Sequence, residues 1–194
     1  MLTLHRATVL RPSGTAPSIT DGAVLVRGDR IAALGPYAEL AAAHPDARLR
    51  EWSGALLGPG QAQPHAGWLL ERYYHPDPRE ELGVEPRPMP PGGVDPGHYG
   101  GLGGSARRGL QRLLRAGTTA LAGPFERPEV LAAVGRSGLR VVAPIEPPYA
   151  PDEFDGVPDR ALSVDGRADF AIFDQETDQC LGTVLAGRLV YRGR

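Results

Sequence analysis

Two groups of residues carry side chains able to do chemistry. The first is the stretch Leu56-Leu57-Gly58-Pro59-Gly60-Gln61-Ala62-Gln63-Pro64-His65-Ala66-Gly67. An apolar run ending in Pro-Gly reads as a strand closed by a forced turn, so His65 stands just beyond a strand end. The second is His75-Pro76-Asp77, with Asp95 and His98 further on. An imidazole and a carboxylate two residues apart are spaced to share a divalent cation, and Asp95 and His98 could complete the set. The proline-rich chain between them works against holding four such ligands in place. Zinc hydrolysis needs about three protein ligands plus a position for water, and no histidine follows His98. His5, in a strand pattern, and His44, at a helix end, read as structural or exposed. Cys180 reads as a small residue in a turn between strands, with nothing beside it to lower its pKa. Gly101-x-Gly103-x-x-Ala106 has the spacing of a dinucleotide fingerprint. It follows a proline-rich loop instead of a strand, so the strand–turn–helix setting is absent.

The elements that must position these groups are legible in order. Leu2 to Leu10 alternates as a half-buried strand until Pro12-Ser13-Gly14 breaks it. Ala23 to Val26 and Ile31 to Leu34, joined at Arg27-Gly28-Asp29-Arg30, read as a hairpin. Pro36 to Ala43 suits a short helix, and Leu49 to Leu57 reads as extended chain broken at Ser53-Gly54. Trp68 to Tyr74 suits a turn or two of helix. A proline- and glycine-rich loop then occupies 75–104, a length usual for functional or disordered segments. Ser105 to Ala116 is an amphipathic helix closed by Gly117. Strand Thr118 to Ala122, helix Glu129 to Gly138 and strand Leu139 to Pro144 follow, the alternation of βα units with parallel strands.

Composition narrows the class. The 194 residues include 26 glycines and 20 prolines, so much of the chain is loop. With 21 basic against 23 acidic residues and no long block of either sign, nucleic acid is not the expected partner. No apolar run reaches transmembrane length, and a lone cysteine fits the cytoplasm.

The stretch around His65 resembles the metal-binding entrance of the amidohydrolase superfamily, Pro-Gly-x-x-Asp-x-His-x-His. Pro59, Gly60, Pro64 and His65 match, whereas Gln63 stands for the Asp and Gly67 for the second His. Gly166 to Asp174 is similar to the family phrase Gly-x-x-Ala-Asp-Leu-Val-Val-Leu-Asp, and Val184 to Tyr191 to its closing strand pair. The nearest branch is that of imidazolonepropionase and aminodeoxyfutalosine deaminase. The resemblance implies a mixed α/β fold: a discontinuous β-sandwich, the composite domain, from 1–62 and 160–194, plus a truncated (β/α) barrel remnant of about three βα units over 63–145. Residues 146–159 read as a connector.

The same resemblance implies a hydrolase acting on non-peptide C–N bonds of cyclic amides or amidines through a zinc- or iron-activated water. Of the family's metal ligands only His65 is matched, because the barrel strands bearing the others have no counterpart. The expectation is therefore a catalytically silent protein without a bound metal. Its open sheet then predicts a homo-oligomer or a protein partner that covers it.

Overall fold

The computed structural model describes residues 1–146 and 156–193. The expected connector at 146–159 falls largely outside the described residues, as does Arg194. Two compact units are present.

The first unit comprises Met1–Gln61, Arg115–Thr119 and Pro158–Arg194. Its seven-stranded sheet draws on both ends of the chain. From the N-terminal part come β1 (Leu2–Leu10), β2 (Ile19–Arg27), β3 (Arg30–Pro36) and, after helix α1 (Tyr37–Ala43), β4 (Arg48–Gly58). The C-terminal part gives β11 (Phe170–Asp174), β12 (Cys180–Leu185) and β13 (Arg188–Arg192), and the order is β13-β12-β11-β4-β1-β2-β3. β1 and β4 run parallel, which obliges the chain between them to cross over, and β11 joins the two halves by pairing antiparallel with β4, Ile172 opposite Leu57. Ser53-Gly54 does not break β4. The register slips there as a β-bulge, with Gly54 at φ 68° supplying the left-handed step.

The two ends of this sheet meet. Ile31 N–H donates to Gly166 O at 2.9 Å, Ala168 N–H to Asp29 O at 2.8 Å, and Gly187 packs against the Gly28 carbonyl where no Cβ would fit. The sheet is thus folded over one core, in which Leu10, Val24, Leu57, Phe170, Ile172 and Val184 are fully buried. This is the composite β-sandwich, made from a single curled sheet. On its other face Leu4, Ala23 and Leu25 pack against Tyr37 and Leu40 of α1.

The second unit, Ala62–Leu114 and Ala120–Val157, holds α2 (Ala66–Glu71), a two-strand ribbon of β6 (Tyr73–Tyr74) with β7 (Arg87–Pro88), α3 (Gly101–Arg115) and α4 (Pro128–Ser137). Its sheet runs β10-β5-β8-β9, from β5 (Gln61–Gln63), β8 (Thr118–Ala122), β9 (Arg140–Val142) and β10 (Val157–Pro158). β8 is buried along its length and runs parallel to β9. α4 starts with Pro128 and stops at Gly138 in the left-handed region, the usual punctuation of a helix. Only residues 143–156 separate β9 from β10. Among the described residues this sheet has four strands and does not close into a barrel.

Helix α3 starts at Gly101, four residues ahead of the expected Ser105. Glycines are poor helix formers, so the pattern concealed the first turn. Close packing explains their use: Gly104 has no room for a Cβ against the Tyr99 carbonyl, and its N–H bonds Gly100 O at 2.8 Å.

Candidate functional site

His65 sits where a strand end delivers it, one residue beyond Pro64 after β5, and acts as the N-cap of α2. Its backbone carbonyl accepts from Leu69 N–H at 2.9 Å, so its position is set by the helix it starts. Gln63 is fully buried, and its side-chain Oε1 accepts from His65 N–H at 3.0 Å. The side chain that replaces the family's carboxylate therefore closes this turn. At Gly67 a Cβ would lie 2.8 Å from Pro124 O, so no side chain, histidine included, can be accommodated without moving that backbone. A zinc or iron ion does not fit this arrangement: one imidazole, a neutral amide engaged by the backbone, and a position closed to any ligand. Among the described residues no three His, Cys, Asp or Glu side chains converge as a metal site.

The second group is not brought together as a site either, although its chain is more tightly held than its proline content predicts. His75 is 1 % exposed. Its backbone N–H donates to Ser105 Oγ at 2.9 Å and its Nε2 lies 3.0 Å from Leu69 O. Gly109 of α3 approaches so closely that a Cβ there would lie 2.6 Å from His75 Nε2. Burial lowers the imidazole pKa to about 4, so His75 is a neutral core residue.

Asp77 caps the short 3-10 turn Pro78–Glu80, accepting from Arg79 N–H at 3.1 Å and from the Arg79 guanidinium at 2.7 and 3.0 Å. Arg108 of α3 reaches the same carboxylate at 3.4 Å. The Arg79 hydrogen bonds hold its pKa at about 2. Asp95 accepts from Gly97 N–H in a local turn, at 2.8 Å. His98 Nε2 lies 3.3 Å from the Glu80 carboxylate.

Glu80 was not singled out among the sequence candidates. Its carboxylate accepts from the Tyr74 hydroxyl and from Asp77 N–H, each at 2.6 Å. Burial disfavours the charged form, but these donors and His98 outweigh it and leave the carboxyl below its ordinary pKa. Burial and this carboxylate push the Tyr74 phenol up to about 12. The signal was present in Asp77-Pro78-Arg79-Glu80, the spacing of a capping box. Tyr74, Glu80, Leu82, Pro88, Val94 and His98 line a groove of about 390 Å³, an amphipathic recess with a fixed anionic floor.

Cys180 is partly buried, and burial raises its thiol pKa, the direction opposite to that of a nucleophile. The Gly101–Gly103–Ala106 spacing lies inside α3, with turns before it and no strand. Among the described residues no helix is long and apolar enough to cross a membrane.

The fold combines a composite β unit drawn from both chain ends with a second unit of a few βα elements. Residues 22–47, which span the β2–β3 hairpin and α1, match the family model of the imidazolonepropionase-like composite domain of bacteria. Solved structures similar to the chain include guanine deaminase from Bradyrhizobium japonicum, at 21% identity over 73% of this chain and 34% of that one, with a TM-score of 0.47. Aminofutalosine deaminase of Helicobacter pylori matches at 14% identity over 74% and 33%, TM-score 0.46. Ochratoxinase of A. niger matches at 18% identity over 73% and 31%, TM-score 0.49. The chain spans about a third of the length of these structures. No curated protein matches it in sequence.

Proposed function

We propose that this chain is a non-catalytic, cytoplasmic binding or assembly module that keeps the amidohydrolase-like composite domain without its hydrolytic centre. The observation that carries this reading is Gly67. The position of the family's second histidine faces the Pro124 carbonyl with no space for a side chain, while Gln63 is used to cap the turn of His65. Loss of the second histidine from this strand end leaves His65 below the roughly three-ligand minimum of a hydrolytic zinc site. The lone Cys180 supports the reducing compartment.

Elemental analysis of untagged protein purified with zinc and iron supplied tests this reading. The expected result is a metal content well below one per chain, unchanged in His65→Ala. Near-stoichiometric metal that disappears in His65→Ala would overturn it and restore the reading as a hydrolase of cyclic amides or amidines.

Self-association is the second part of the proposal, favoured by β9. It is an edge strand paired parallel with β8, a pairing usually covered on both faces, yet Val141 is 55 % exposed. A second copy pairing along this edge would bury it. Sedimentation velocity should show a concentration-dependent dimer that Val141→Lys weakens. A monomer at every concentration up to the hundred-micromolar range would eliminate this part.

A further inference from the structure

The composite β unit carries a groove of about 260 Å³ that belongs to neither candidate group above. It is lined by Arg48, Leu49, Arg50, Glu51 and Trp52 of β4 and by Leu189 and Arg192 of β13. Strand alternation sets Arg48, Arg50 and Trp52 on one face of β4. The folding-over of the sheet brings β13 to them, and the Arg192 guanidinium lies 5.6 Å from the Trp52 ring centre.

Three guanidiniums therefore meet at one recess. Among the described residues no carboxylate bonds Arg48, Arg50 or Arg192. The single acid in the lining, Glu51, is already held by Arg6 at 3.0 Å. Two residues of this lining carry buried donors without a hydrogen-bond partner: Arg50 at Nε and Trp52, only 8 % exposed, at its indole Nε1. Native proteins satisfy the great majority of such groups, so two orphans in one lining ask for an acceptor. Burial, then the neighbouring Arg48 and Arg192, lower the pKa of Arg50. His5, directly opposite Arg50 on β1, is buried and neutral and supplies no negative charge.

We propose that this groove binds a small phosphate-class oxyanion, a phosphate or diphosphate group on a compact organic body. Guanidinium forks match the several oxygens of a phosphoryl group, and three of them favour a dianion over a monocarboxylate. Leu189 and the Trp52 ring offer an apolar wall for the organic part.

The test is calorimetric titration of the full chain at constant ionic strength, in chloride, with inorganic phosphate, pyrophosphate and phenyl phosphate. Saturable binding is expected, weakened about tenfold or more by Arg50→Gln and by Arg192→Gln separately. Arg136→Gln, which removes the same charge from the exposed face of α4, should leave it unchanged. Tighter binding of phenyl phosphate than of inorganic phosphate assigns the site to an ester, and equal binding assigns it to free phosphate. Perturbation of the Trp52 indole N–H resonance during the titration places the anion in the groove. Arg192→Gln lies at an exposed strand end and keeps the test valid if Arg50→Gln does not fold. No saturable binding up to about 10 mM ligand, a regime below about 3 kcal/mol of affinity, overturns the proposal. So does an equal loss in Arg136→Gln.

Discussion

Replacing Phe170 by alanine is expected to lower the stability of the composite β unit by about 3–5 kcal/mol, the cost of deleting a large buried aromatic and leaving a cavity. Phe170 opens β11, the strand that joins the two halves of the sheet, and it is fully buried. Its ring meets His5 edge-on at 5.0 Å, while its neighbours Ala168, Ala171 and Ile172 are equally inaccessible. Few of these neighbours can move to fill the space, since they belong to strands pinned on both sides by hydrogen bonds. Urea unfolding at neutral pH should show a lower midpoint with an unchanged slope, the mark of lost stability without altered compactness. A shift of less than about 1 kcal/mol would mean that the sheet does not fold over this residue.

Acid should destabilise the protein well before its carboxylates titrate. Burial holds His5 at about 3, with Arg50 adding repulsion, and His75 at about 4, with Arg112 and Arg108 acting the same way. Both values lie below the ordinary histidine value of 6.5. The unfolded chain therefore takes up protons near pH 6.5 that the folded chain refuses, and stability falls wherever the unfolded state binds more protons. The contribution of each histidine is complete above pH 6.5. It declines as pH drops, levelling off near pH 4 for His75 and near pH 3 for His5. Each should remove a few kcal/mol. Asp77, depressed to about 2, adds a further loss in the same direction at lower pH. Urea midpoints measured from neutral pH down to pH 4 should fall in the parent protein. The decline should be shallower in His5→Gln and His75→Gln. A flat profile in the parent would show that neither imidazole is buried as described. The two effects are linked, because removing Phe170 opens one wall of the His5 pocket and should ease its protonation.

Much of the site was legible because short-range signals set it. Pro59-Gly60 marks the end of β4, and the exchanges at Gln63 and Gly67 are visible in the residues themselves. What they became instead was not legible. Only the packing of α2 shows that Gly67 faces the Pro124 carbonyl and that Gln63 serves as a turn cap. The 75–104 stretch misled for a related reason: its prolines argue against regular structure, yet a capping box and Arg108 from α3 hold Asp77 in place. The long sequence separation between Asp77 and Arg108 hides that contact from any local pattern.

By itself the sequence determined the alternating strands at both ends and the two amphipathic helices with their glycine stops. These depend on side-chain periodicity and backbone preference, which act over a few residues. Tertiary structure alone decided that both ends share one sheet folded over Phe170, that His75 is core, and that Arg48, Arg50 and Arg192 converge on Trp52. Those outcomes depend on which distant surfaces pack together, a choice made by burial and exclusion of water over the whole chain.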